Sequence, residues 1–199
     1  MDVRSALREL KRKSIHMIPG FAAIPIVVWL GRSWGIAISC LFLALYTLNE
    51  LHLKGFIKRE IPIATHTFKI MARREEIEKR TFIGTVFFWS TTLALIALLP
   101  PARAAAAVMI SSFGDAAAAI VGKLVGGPRV PMSNKTVAGS LAMFVTSIAC
   151  VSLAGIPMVP GLIAATASTI AEAFTKISVL DELTVPIVAG ATLAFVWPR

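Results

Sequence analysis

A single carboxylate, Asp115, interrupts an apolar, alanine-rich run whose nearest other charges are Arg103 and Lys123. On insertion scales an acid at the middle of a span costs roughly 2.5–3.5 kcal/mol. Such a residue is functional by default and is expected to face a polar cavity. The plainer alternative is a hydrogen bond to Ser or Thr on a neighbouring helix. Gly114, Gly122, Gly126 and Gly127 surround it. They permit close backbone approach, or a broken helix whose freed N–H groups meet an anion, although glycine also serves plain helix packing.

Three further groups carry chemistry. In "SNKTVAGS", Lys135 stands just before an apolar run that opens with Thr136 and continues through Gly139 and Ser140. A lysine beside a helix start supplies charge, and the backbone N–H groups and helix dipole supply oriented donors, which together make a phosphate seat. The GxxxxGK[ST] loop is absent, so this is not a Walker A motif; taken alone, Lys135 also reads as a topological anchor. In "RELKRKSIH", Glu9, Arg12, Lys13 and His16 fall at i, i+3, i+4 and i+7, one helix face. In "AEAFTKISVLDELTVP", Glu172 ends a small-residue run and Asp181 with Glu182 opens the next. Asp181 also fits a helix N-cap; Glu172, on the membrane side of the connection, has no such simple role.

The elements that must position these residues are helices in a membrane. Of 199 residues, 56% are hydrophobic, and the mean hydropathy is +0.77, far above a soluble domain. A window of about 19 residues gives seven spans, at 15–31, 34–51, 81–99, 104–126, 137–153, 157–175 and 183–197. The expected fold is therefore an all-α, polytopic, single integral-membrane domain over residues 1–199. The basic, then apolar, N-terminus reads as an uncleaved first helix. Segment 66–80 reads as a charged helix leading into span three, with Arg74–Glu78, Glu75–Lys79 and Glu76–Arg80 as i,i+4 pairs. Cys40 and Cys150 sit in separate apolar runs and read as packing residues.

Charge is distributed by side. Seventeen of the 20 Lys and Arg residues fall on one face of this topology; only Arg32, Arg103 and Arg199 fall on the other. The positive-inside rule then puts the N-terminus in the cytoplasm. All eleven acidic residues follow the same side, so the chemistry is expected to face the cytosol. This pattern also accounts for the formal charge of +9 without a nucleic-acid partner.

Asp115, Glu172, Asp181, Lys135 and the Glu9–His16 face thus share one half of the bundle. Carboxylates offer hard oxygen ligands to a divalent cation, and cations and amides suit phosphates. Together they fit a nucleoside triphosphate with Mg²⁺, and the apolar helices fit a lipid partner.

In order and spacing, "ELKRKSIH", "GDAAAAIVGKLVGG", "NKTVAGSLAMF" and "AEAFTKISVLDELTVP" resemble the CTP-dependent polyprenol kinase family, which includes dolichol kinase, phytol kinase and the CTP-dependent diacylglycerol kinase of fungi. The resemblance runs through nearly the whole chain. It implies a multi-pass enzyme that moves the γ-phosphate of CTP onto the hydroxyl of a membrane lipid, here a dolichol-type polyprenol. By matching position it implicates Glu9, Arg12, Lys13 and His16; Asp115 and Gly122; Lys135, Thr136, Gly139 and Ser140; and Glu172 and Asp181. Asp115, Glu172 and Lys135 are the expected catalytic residues, and Asp115 and Asp181 the expected metal ligands. Arg12, Lys13, His16, Lys135, Thr136, Gly139, Ser140 and Gly122 are expected to hold nucleotide. One departure is visible: the family's Asp-Asn-Leu is Asp181-Glu182-Leu183 here. Phytol, geranylgeraniol or diacylglycerol are alternative acceptors. The second and third motifs also resemble CTP-using phosphatidate cytidylyltransferases, but their additional C-terminal acidic signature is absent. A small ion-coupled transporter would use Asp115 and Glu172 but leave Lys135 and His16 without a role. A second copy of the chain is admitted as a partner, with no oligomeric state legible in the sequence.

Overall fold

A computed structural model describes residues 3–175 and 179–197, with side chains described from Glu9 onward. The side chains of Arg4 and Arg8, and residues Lys176 and Arg199, which entered the charge argument, lie outside what is described. The chain is 80% helical, with no strand among the described residues. The first rod comprises α1 (Val3–His16), α2 (Ile18–Ala23) and a π-helical segment, Ile24–Leu30. Gly31, at φ 102°, ends it, and α3 (Arg32–Leu53) returns antiparallel. Pro62 opens α4 (Pro62–Met71), which is followed by the short α5 (Arg74–Glu78) and by α6 (Ile83–Leu98). Pro101 opens α7 (Pro101–Met109), which continues through a π-helical segment, Ile110–Gly114, into α8 (Asp115–Val125). The last three helices are α9 (Val137–Leu153), α10 (Met158–Phe174) and α11 (Asp181–Val196).

Three continuous helices are long and apolar enough to cross a membrane: Glu9–Leu30, Arg32–Leu53 and Pro101–Val125. The segments Ile83–Leu98, Val137–Leu153 and Met158–Phe174 are apolar but shorter. Segment 66–80 is not one helix. Ala72 and Arg73 are extended, at ψ 137° and 160°. Glu76 folds back to accept from the Arg73 N–H at 2.7 Å, a local cap that competes with continued helix. The Arg74–Glu78 pair forms, at 2.9 Å.

The rod α7–π–α8 is the axis of the fold. Ala104 through Ala107 have no exposed surface, and α2, α6, α9 and α11 pack around them. Within a membrane, close van der Waals packing replaces the hydrophobic effect between helices, and small residues allow it. At one end of the bundle, Arg32 donates to the Leu99 carbonyl at 2.7 Å, and Arg103, buried, lies 5.0 Å from the Trp197 ring centroid. At the other end, the Glu50 carboxylate accepts from the Thr81 hydroxyl and the Phe82 N–H at 2.6 and 2.5 Å, holding the start of α6. Cys150 is buried in the core, as a packing residue; Cys40 instead lies on an exposed face of α3.

Gly114 marks the tightest approach to the axis. A Cβ there would collide with the Met143 sulfur of α9. Gly114→Ala is expected to destabilise by about 1–3 kcal/mol through overpacking, read as a fall in detergent-solubilised melting temperature. Met143→Ala in the same chain should recover part of the loss; an unchanged melting temperature in Gly114→Ala would contradict this packing.

Candidate functional site

Asp115 follows the π-helical turn Ile110–Gly114 directly. Such single-turn insertions shift the helix face presented by everything after them and recur at functional sites. Here the shift turns Asp115 toward α1, which packs on α8. Lys13, with 1% of its side chain exposed, forms an ion pair and hydrogen bond with the Asp115 Oδ2. The His16 Nε2 lies 3.3 Å from the same oxygen and 3.6 Å from the Glu182 Oε2 of α11. Neither approach is aligned as a hydrogen bond, so this nitrogen remains available to a third group. One turn earlier, Glu9 pairs with Arg12 and accepts from the Lys123 Nζ at 2.5 Å. The amphipathic spacing of Glu9, Arg12, Lys13 and His16 therefore becomes one face of α1 laid along α8.

Lys135 is positioned by the connection between α8 and α9. Gly126 and Gly127, at φ 65° and 92°, reverse the chain after α8 in a conformation that favours glycine. The Val130 N–H donates to the Lys135 carbonyl at 2.9 Å, and the Val137 N–H to the Pro128 carbonyl at 2.9 Å. Ser133 accepts from the Lys135 N–H at 3.0 Å and donates to the Ala173 carbonyl, tying the loop to α10 beside Glu172. The Lys135 ammonium then spans two carboxylates, donating to the Glu172 Oε1 at 2.7 Å and the Asp181 Oδ2 at 2.8 Å. Burial disfavours its charge, but Asp181 and Glu172 outweigh that and raise its pKa above the ordinary value. Thr136 caps α9, accepting from the Gly139 N–H at 3.1 Å.

These residues enclose a polar pocket of about 360 Å³, lined by Glu9, Arg12, Asp115, Gly122, Lys135, Thr136, Gly139, Ser140, Glu172 and Asp181 among others. Four stretches widely separated in sequence thus converge on one cavity. Lys13 and His16 reach it through Asp115. Gly122 and Gly139 serve close approach: a Cβ on Gly139 would meet the Ala118 carbonyl oxygen at 2.8 Å, and one on Gly122 the Thr136 hydroxyl at 2.9 Å.

Sequence reasoning left out four participants. Lys123, Arg73 and Asn134 also line the polar pocket, and Glu182 faces His16. Lys123 lies one turn after Ala119 on the Asp115 helix, a spacing that could have flagged it. Arg73 comes from the break between α4 and α5, which helical periodicity conceals.

The charged side chains of the lining are matched in number: Arg12, Arg73, Lys123 and Lys135 face Glu9, Asp115, Glu172 and Asp181. Four buried polar atoms of its lining lack a hydrogen-bond partner, the Arg12 Nε, the Ser140 Oγ, the Glu172 Oε2 and the Asp181 Oδ1. Glu172 and Asp181 are 2% and 5% exposed, so each holds back a carboxylate oxygen where desolvation is costly. This donor set fits a hard divalent cation. His16, Asp115 and Glu182 form a second group, with ligand atoms within 4.8 Å of one another.

No family model, curated protein or solved structure matches this chain.

Lys13 offers a direct test of how the charges are held. Removing one partner of a buried pair strands the other and costs about 3–5 kcal/mol, whereas replacing both by apolar groups is often neutral. Lys13→Met should therefore lower the melting temperature sharply, and Lys13→Met with Asp115→Leu should restore most of it. A double variant no more stable than Lys13→Met would contradict a buried ion pair.

Proposed function

We propose that this chain is a CTP-dependent lipid kinase, transferring the γ-phosphate of CTP to the hydroxyl of a membrane polyprenol of the dolichol type. The carrying observation is that the polar pocket adjoins an apolar one. A cavity of about 540 Å³, lined chiefly by α1, α2, α3, α4 and α6, shares Arg12 and Arg73 with it. A charged phosphate site and a greasy slot meeting at two arginines suit an enzyme whose two substrates differ that much in polarity. The motif resemblance supports the same reading and contributes CTP as donor. We place seven spans in the membrane, with the N-terminus and the site on the cytoplasmic side, on the charge asymmetry of the connections.

In this reading Lys135 turns its ammonium from Glu172 and Asp181 to the β- and γ-phosphates, and the start of α9, from Thr136 to Ser140, supplies N–H donors. Arg12 and Lys123 complete the phosphate seat. A divalent cation such as Mg²⁺, when bound, would neutralise charge developing on the phosphate oxygens; Asp181 and Glu172, each with an unpartnered oxygen, would hold it. Asp115, steered by Lys13 and His16, orients the lipid hydroxyl and takes its proton. The hydroxyl oxygen bonds to the γ-phosphorus, the bond from that phosphorus to the β–γ bridging oxygen breaks, and CDP leaves.

The reading is tested with CTP labelled on the α- or the γ-phosphate, Mg²⁺ and a panel of lipid alcohols. Label should reach lipid only from the γ position; transfer from the α position would make the chain a cytidylyltransferase. Asp115→Asn should lower transfer by about 10²–10⁴-fold, the usual worth of a positioned base, while the protein still inserts. Near-normal turnover in that variant would remove Asp115 from the chemistry.

A further inference from the structure

His16 holds a ring nitrogen in reserve. Its Nε2 is buried and has no hydrogen-bond partner, a state in which the lost hydration is not made good. The ring is held against Phe88, 5.4 Å between centroids. Two carboxylates face that nitrogen, the Asp115 Oδ2 at 3.3 Å and the Glu182 Oε2 at 3.6 Å. The three residues sit at the end of α1, the start of α8 and the start of α11. Among the described residues they are the one group of three His, Cys, Asp or Glu side chains whose ligand atoms gather within 4.8 Å.

This group is separate from the carboxylates around Lys135. Asp181 and Glu182 are neighbours at the start of α11 and lie about 100° apart around the helix. Asp181 therefore meets Lys135, and Glu182 meets His16. Glu182 is also the position where the last motif departs from the family it resembles, so the second carboxylate opposite His16 belongs to this chain.

The spacing selects the metal. Around a tetrahedral ion with bonds of about 2.0–2.2 Å, neighbouring ligand atoms stand about 3.3–3.6 Å apart. Around an octahedral Mg²⁺ with bonds of about 2.0–2.1 Å they stand only about 2.8–3.0 Å apart. The observed 3.3 and 3.6 Å are tetrahedral edges. An imidazole nitrogen also suits Zn²⁺ and its transition-metal neighbours better than Mg²⁺. Lys13 already donates to the Asp115 Oδ2, but a carboxylate offers about four lone-pair sites, so ammonium and metal can share it. Asp115 and Glu182 together match the charge of a dication.

We propose that His16, Asp115 and Glu182 form a tetrahedral site for one Zn²⁺-type cation, and that filling it blocks the enzyme. Three protein ligands leave the fourth position open. His16 and Glu182 line the apolar cavity and Asp115 the polar one, so the ion sits where the two meet. A metal on Asp115 occupies the carboxylate that would otherwise take the hydroxyl proton. That inhibitory effect rests on the kinase reading; the site itself requires no nucleotide.

The test titrates Zn²⁺ into the full chain in nanodiscs, without nucleotide, against a chromophoric chelator. One equivalent should bind, and excess Mg²⁺ should not displace it. Co²⁺ in its place should show the intense visible bands of a tetrahedral ion. His16→Asn and Glu182→Gln, each checked for folding by circular dichroism, should weaken Zn²⁺ by at least about tenfold, since even the outer partner of a ligand is worth about 10–100-fold. Zn²⁺ held equally by both folded variants would place it on other donors, such as His52 or His66, and overturn the site. Displacement by Mg²⁺, or an octahedral Co²⁺ spectrum, would overturn it too. Zn²⁺ binding without phosphate transfer to any alcohol would keep the site and reject the kinase reading; transfer without Zn²⁺ binding would do the reverse. In a chain that transfers phosphate, Zn²⁺ should inhibit in the presence of excess Mg²⁺. Glu182→Gln, measured against its own zinc-free rate, should then need at least about tenfold more Zn²⁺ for the same loss. Equal sensitivity in that variant would overturn the inhibitory role.

Discussion

Charges inside an apolar helix bundle persist only in company, and that constraint organises this molecule. Buried Lys13 pairs with the largely enclosed Asp115, and Lys135 lies between Glu172 and Asp181. A bare ion in such surroundings costs several kcal/mol, so each of these contacts fixes where an element goes. The first holds α1 along α8. The second holds the connection before α9 against the end of α10 and the start of α11. The helices that carry these residues also pack on one another, α8 on α9, α9 on α10 and α10 on α11, and the pairs fix how their charged ends meet at one pocket.

Cations and carboxylates around the pocket are equal in number, and their pairing offsets part of the cost of burying them. A triphosphate with its divalent cation brings both signs, so each partner can be exchanged for a ligand atom of the same charge. In the proposed kinase Lys135 would trade carboxylates for phosphate, and Glu172 and Asp181, each with an oxygen already lacking a partner, would trade an ammonium for a metal.

Much of this was legible in the sequence, for identifiable reasons. Helix positions followed from hydropathy, because segments such as 137–153 are uniformly apolar between polar loops, and α9 occupies those residues. Asp115 stood out because nothing near it in the chain is charged. The π-helical turn before it was not legible, since nothing in the apolar periodicity of 104–126 marks it, and the close approach of Gly114 to the Met143 sulfur is a tertiary contact. Nor was the break at Ala72 and Arg73, where a side-chain cap from Glu76 overrides i,i+4 pairing. The apolar cavity was hidden for a similar reason: its lining is contributed by several helices, and apolar residues facing a cavity look like those facing lipid.

The central claim, that the paired charges are a nucleotide seat, is tested most directly by titrating Mg²⁺ and CTP together into the nanodisc-embedded chain by calorimetry. The account predicts saturable one-site binding that needs both components and is lost in Lys135→Met while that variant remains folded. Heat that is absent in the wild-type chain, or unchanged in folded Lys135→Met, would contradict it.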